Sequence, residues 1–311
     1  MQLAAQPIFP VPTTDSPRQS AVPLRPILPA DEPILRALLT YGLMSPSQIA
    51  RLLYSPGARK YAYARCKQLA DAQHLVALDG LRPSRRGSGQ IAYVLNTSAI
   101  KHLRQMGLDV PERYKVTELT SLSYVFFAHI LAGNDFLIAA ELLARENPHV
   151  KIAELIPERS LKRRLRHTPI RVTLPDKSKP GIEPDGWLSL IVEEATDLFR
   201  YPIALEVVRT TERVDWQRKV LAYVLGIDSL LAHFGVANLT VAVTTPKQEK
   251  RDHVLAWTQQ VLATQSHPKL TVRVTSADPV NLSPADFFTG DHWYHNSAEP
   301  PLPLFLPKGG A

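Results

Sequence analysis

Two carboxylates in this 311-residue chain sit where an acid needs a reason to be. Asp185 occupies a Pro-Asp-Gly turn entering the segment Glu183–Val192, and Glu206 interrupts the otherwise apolar run Pro202–Val208. A carboxylate among Ala204, Leu205, Val207 and Val208 is costly to bury unless a partner or a metal compensates it. On neighbouring strands the two acids would suit Mg²⁺, which prefers oxygen ligands and keeps several waters. The ion would polarise a phosphodiester and help make hydroxide from bound water. Plainer readings stand beside this one: Asp185 as a turn aspartate, and Glu206 as an acid paired with Arg209 or with an arginine of residues 159–166. Glu141 is a third acid that could approach the same pocket. His292-Trp-Tyr-His295 has the spacing of a metal pair but shows only two ligands in a tail-like setting.

Other chemistries lack their residues. There is no Gly-x-x-x-x-Gly-Lys-Ser/Thr phosphate loop and no Gly-x-Ser-x-Gly. His129, His149 and His167 are too dispersed for the histidine cluster of a tyrosine relaxase. A single cysteine, Cys66, excludes an intramolecular disulfide framework and a Cys-based zinc cluster. It is expected to face a core. No apolar run approaches the roughly 18 residues of a membrane span, and the N-terminus lacks a secretory pattern. These features lead to the expectation of a soluble, cytoplasmic protein with no membrane partner.

The net charge of +7 is unevenly placed. Residues 51–104 carry ten Lys and Arg against Asp71 and Asp79, for +8. Residues 151–182 carry nine against three, for +6, centred on Arg159–Arg166, whereas the chain beyond 275 is net acidic. Two separate basic patches point to a polyanion, with double-stranded DNA the expected partner. Solvated helix faces are the plain alternative.

The elements that must carry these residues follow from local pattern. Residues 1–30 hold seven prolines and no periodicity, reading as a disordered arm. Asp31-Glu32-Pro33 opens a helix that Gly42 closes, Ser45-Pro46 opens a second, and a third runs from Ala58 to Gln73. Leu75–Leu78 and Ile91–Leu95 read as two strands around the basic loop 82–89. Three helices and a two-stranded ribbon make a winged helix-turn-helix over residues 31–107. Its third helix would enter the major groove with Arg59, Lys60, Arg65 and Lys67, helped by the hydroxyls of Tyr61 and Tyr63. Arg82, Arg85 and Arg86 would reach phosphate from the wing. Arg163 and Arg164 belong to the second basic patch.

Beyond a helix at Thr97–Met106 and a connector, a long helix is expected over Thr120–Glu146. Strands follow at Val150–Ile156, Pro169–Thr173, within Glu183–Val192 and at Pro202–Val208. Helices at Arg213–His233 and Glu249–Thr264 then alternate with strands at Leu239–Thr245 and Leu270–Thr275. This order predicts an α/β domain over residues 120–276 with a mixed sheet, and residues 277–311 read as a C-terminal tail.

Pro184-Asp185 and Glu206 in this order resemble the PD-(D/E)XK nuclease superfamily. The superfamily's lysine two residues after the second acid is missing, because Val208 stands there. The resemblance implies that a lysine from the following helix can replace it, with Lys219 the candidate; Lys219 shares a helix face with Tyr223 at spacing four. Together with the winged helix, His129 and Asn134-Asp135, these motifs and Leu205-Glu206, Arg209-Thr-Thr-Glu212 and Lys219-Val-Leu-Ala-Tyr223 resemble the replication-relaxation family over residues 30–275. That implies a protein of plasmids or other mobile elements associated with replication initiation and DNA relaxation, with replication or mobilisation proteins, or a second copy of the chain, as further partners. Two readings remain open. In one, Asp185 and Glu206 hold Mg²⁺, Lys219 stabilises developing charge, and the domain is an endonuclease or nickase. In the other, the C-terminal half is an inert docking or dimerisation module of a transcription or replication regulator.

Overall fold

Helix punctuation in the sequence becomes the frame of an N-terminal unit, residues 1–131, in a computed structural model that describes residues 26–79, 91–111, 114, 116–120, 122–194, 197–295 and 299–305. Helix α1 (Glu32–Tyr41) ends at Gly42, whose φ of 77° favours glycine. Ser45 caps α2 (Pro46–Leu53): its hydroxyl accepts from the Gln48 N–H, and the Gln48 side chain accepts from the Ser45 N–H. Helix α3 (Arg59–Asp71) buries Ala62, Cys66 and Leu69 and exposes Arg59, Lys60 and Lys67. Strands β1 (Leu75–Asp79) and β2 (Ile91–Leu95) pair antiparallel, Leu75 opposite Leu95. The predicted loop residues Arg82, Arg85 and Arg86 lie outside the described residues. Helices α4 (Thr97–Gln105) and α5 (Val116–Thr120) follow. Leu43, Ala92, Val94, Leu119, Phe127 and Leu131 form one apolar cluster of this unit.

The sequence placed the division near residues 107–120, but the two units divide between Leu131 and Ala132, inside helix α6 (Tyr124–Glu146). Residues 125–146 of that helix are long and apolar enough to cross a membrane, an 18-residue window among them having mean hydropathy 1.4, yet half of that window is buried in the protein. Phe136 through Ala140 and Leu143 are core residues of the second unit.

That unit is built on a mixed five-stranded sheet of β3 (Val150–Pro157), β4 (Gly186–Glu194), β5 (Asp197–Val207), β6 (Leu239–Thr244) and β7 (Leu270–Thr275), in that spatial order. The first three strands run antiparallel; β6 is parallel to β5 and β7 to β6. Parallel neighbours need crossovers, and α8 (Arg213–Phe234) and α9 (Gln248–Leu262) supply them.

Two expectations are revised and one segment is filled in. The basic run, given no element in the sequence reading, is a helix, α7 (Glu158–His167), which buries Leu161 and Leu165. Pro169–Thr173 is no sheet strand: it makes an isolated bridge, Arg171 opposite Gly181, in a loop packed on α8. At Gly226 of α8 an added Cβ would stand 2.3 Å from Ile182 Cδ1 and 2.6 Å from Val172 Cγ1, so glycine suits the seat of that loop. The expected tail also folds in part. Helix α10 (Pro284–Thr289) and bridges from Tyr294 to Val274 and from Trp293 to Leu302 close it onto the sheet edge. Phe287, Phe288 and Trp293 pack their rings edge-on against Phe136. Aromatic contacts far apart in sequence leave no local periodicity, which is why a proline-rich stretch hid them.

Candidate active site

The register of β4 and β5 brings the two acids together. Gly186 pairs with Leu205, and one further step places Asp185 opposite Glu206. The Asp185 N–H donates to the Leu205 carbonyl at 2.9 Å, and its Oδ2 accepts from the Val207 N–H at 2.9 Å. Asp185 is therefore clamped to both peptide neighbours of Glu206, and the Pro-Asp-Gly turn serves as an extension of the ladder.

Glu206 is buried, with 1% of its surface exposed. Helix α8 answers it with two side chains at spacing four, which share a face. The Lys219 ammonium donates to Glu206 Oε2, and the Tyr223 hydroxyl donates to Oε1 at 2.5 Å. Of the trio Lys219 is the member that reaches solvent, with 35% of its side chain exposed. Burial pushes the Glu206 carboxyl up to about 8, with Asp185 pushing the same way against the charge of Lys219 and the hydrogen bonds of Lys219 and Tyr223. Burial pulls Lys219 the other way, yet Glu206, Asp185 and Glu158 together hold its ammonium above the ordinary lysine range. Burial and the neighbouring Glu206 also keep the Tyr223 hydroxyl protonated.

The sequence reading missed one acid. Glu158, the first residue of α7, has a carboxylate oxygen within 4.8 Å of one on Asp185, and Lys162 donates to it at 2.6 Å. A glutamate opening a basic helix looks locally like a complement to the helix dipole, so no pattern marked it. Glu141 pairs instead with Arg145 at 3.0 Å, one turn along α6.

As a cation seat, Asp185 and Glu158 fit: hard oxygen donors within one ion's reach. Glu206 fits less simply than the sequence suggested: it is not among the ligand atoms that lie within one ion's reach, and its two oxygens take Lys219 and Tyr223. The His292 and His295 pair is not a joint site. His292 Nε2 lies 3.2 Å from Asp286 Oδ1, and His295 Nδ1 lies 3.0 Å from the Val272 carbonyl.

Two predicted DNA-contacting arginines are engaged within their own units. Arg65 grips the fully buried Asp31 with Nε on Oδ1 at 2.5 Å and Nη2 on Oδ2 at 2.7 Å. Arg164 binds Glu154 at 2.7 Å and lies 4.9 Å over the Phe234 ring. Helical rotation turns Arg65 from the exposed face that presents Arg59, Lys60 and Lys67, whereas Arg164 keeps 39% of its side chain exposed next to the exposed Arg163. Cys66 is core, as expected, and burial followed by the charge of Asp31 pushes its thiol up to about 12.

These features define an α/β protein with a basic helical N-terminal unit and a mixed-sheet unit that gathers carboxylates, a lysine and a tyrosine. The model of the replication-relaxation family matches residues 35–225, from α1 into α8 and across Asp185, Glu206, Lys219 and Tyr223. The chain belongs to that family, which suggests a role in the replication or relaxation of mobile elements. No curated protein matches it.

Proposed function

We propose that the protein binds duplex DNA of a plasmid or other mobile element and hydrolyses a phosphodiester there. The observation carrying this reading is that Asp185, in the turn entering β4, is hydrogen-bonded to Leu205 and Val207 on either side of Glu206 in β5, with Lys219 delivered to Glu206 by the next helix. The order helix, three antiparallel strands, helix, parallel strand supports a PD-(D/E)XK assignment. Three helices and an antiparallel ribbon in the N-terminal unit support a winged helix, with the exposed cations of α3 directed at the major groove.

In this reading Asp185 and Glu158 hold Mg²⁺, and Glu206 orients Lys219. When bound, the ion supplies Lewis acidity and a more acidic water. The Lys219 ammonium faces the scissile phosphate and stabilises the charge that develops on its oxygens. Asp185, clamped by Leu205 and Val207, keeps the carboxylates in place without reorganisation. A second reading, an inert docking or dimerisation module of a regulator, is favoured by one observation: Glu206 is closed off by Lys219 and Tyr223. Nicking of supercoiled plasmid with Mg²⁺ separates the two. The hydrolytic reading expects nicking by the wild type and loss of about 100-fold or more in Glu206→Gln. Equal rates in both, or no nicking with any divalent metal, would leave the docking reading.

A further inference from the structure

The segment between β3 and β4 begins and ends at the candidate site. Glu158 is its first residue and Asp185 its last, with carboxylate oxygens within 4.8 Å of each other. Between them α7 leads into a loop that alternates as a strand would: Ile170, Val172, Leu174 and Ile182 are buried, while Arg171, Thr173, Lys177 and Lys179 are exposed. The loop is folded back on itself. The Ile182 N–H donates to the Ile170 carbonyl at 2.9 Å, Val172 to Pro180 at 3.2 Å, and Leu174 to Ser178 at 2.9 Å. Arg218, the neighbour of Lys219 on α8, pins the tip by donating to Ser178 Oγ at 2.8 Å and pairing with Asp176 at 3.1 Å.

These contacts use up acids and leave cations. Glu158 is engaged by Lys162, Glu154 by Arg164 and Asp176 by Arg218. Arg163, Arg166, Arg171, Lys177 and Lys179 are exposed and form no ion pair among the described residues, and Glu183 is an exposed acid of the same segment. Lys177 has a φ of 64°, a left-handed backbone that glycine adopts without strain. Lys177 stands in that conformation in the turn at the tip of the pinned loop, with its side chain exposed.

We infer that residues 158–185 are a phosphate clamp for duplex DNA, which lays a backbone across the loop and delivers it to the site where the segment starts and ends. The inference rests on the reading that this unit acts on DNA, and it gives the unit an affinity of its own, separate from that of α3.

The test measures binding of the full-length protein to a fluorescent duplex across a salt series. Three variants are compared with wild type: Arg171→Gln/Lys177→Gln/Lys179→Gln, Arg59→Gln/Lys60→Gln/Lys67→Gln, and Lys177→Gly. Each phosphate contact contributes about 0.9 to the slope of log affinity on log salt. The loop triple variant is expected to lower that slope by roughly 2 to 3 and the affinity by about 10-fold or more, with an unchanged melting temperature. Lys177→Gly should lower the slope by about 1 while raising the melting temperature, which a merely structural lysine would not do. Unchanged slope and affinity in the loop variants, with wild-type binding that the α3 triple weakens, would overturn the clamp and leave the proposed function standing. Absence of wild-type binding at low salt would overturn both.

Discussion

Asp31 in the N-terminal unit and Glu206 in the C-terminal unit are both carboxylates with at most 1% of their surface exposed, and a helix cation meets each. Their partners differ in kind. Arg65 forms a two-point fork on Asp31, the geometry in which a guanidinium matches a carboxylate. Its bond to Asp31 is the main cause that raises its already high affinity for the proton. That pair ties the turn before α1 to α3. Lys219 instead makes a point contact, a tyrosine completes the shell, and a second carboxylate, Asp185, presses on the same acid. The lesson is that a buried ion pair becomes a candidate for chemistry when a like charge is held beside it and its cation keeps a route to solvent.

The largest effect should come from breaking the structural pair. Asp31→Ala leaves Arg65, only 12% exposed, without its partner, and denaturant unfolding should report a loss of about 3–5 kcal/mol. A loss under about 1 kcal/mol would class the pair with surface bridges and erase the contrast. Next is Lys219→Met, which keeps the stem and removes the charge. Mg²⁺-dependent nicking should fall about 100-fold while the fold, read by circular dichroism, persists. Wild-type rates in that variant would remove Lys219 from the reaction.

A pH experiment sharpens the comparison further. Glu206 has its carboxyl raised from 4.5 to about 8, so its contribution to stability is fully present below pH 4.5 and is lost as pH rises through about 8. Relative to Glu206→Gln, the wild type should lose unfolding free energy across that window, and parallel stability curves would contradict the assignment. The smallest effect is expected from Asp185→Asn. Removing the like charge should bring the Glu206 midpoint down, as read by carboxyl NMR; an unmoved midpoint would mean that burial alone sets it.

Much of this architecture could be read locally. Ser45-Pro46 with Gln48 marked a helix start, Gly42 a helix end, and the apolar run around Glu206 a buried strand. Glu206 was found because an acid in an apolar strand is visible to counting and Asp185 because it sits in a Pro-Asp-Gly turn, whereas Lys219 was named because the nuclease resemblance implies a lysine on the following helix. Glu158 stayed hidden because its role depends on an approach to Asp185 across 27 residues of chain, which no short-range pattern records. The ion pairs of Arg65 and Arg164 stayed hidden for a related reason: composition reports charge but not whether an acid elsewhere pairs with it. The aromatic cluster of Phe136 with Phe287, Phe288 and Trp293 was lost in a proline-rich stretch on the same ground.

What the sequence determined by itself was the set of local elements, the two basic segments and the presence of an acid that burial would make expensive. Those depend on interactions within a turn of helix or between alternate residues of a strand. Tertiary structure decided the rest: the register that sets Asp185 opposite Glu206, the donors that close over Glu206, and which cations remain available to a polyanion. Each of these is a pairing between distant parts of the chain, and a pairing is a choice among partners that only packing in three dimensions can make.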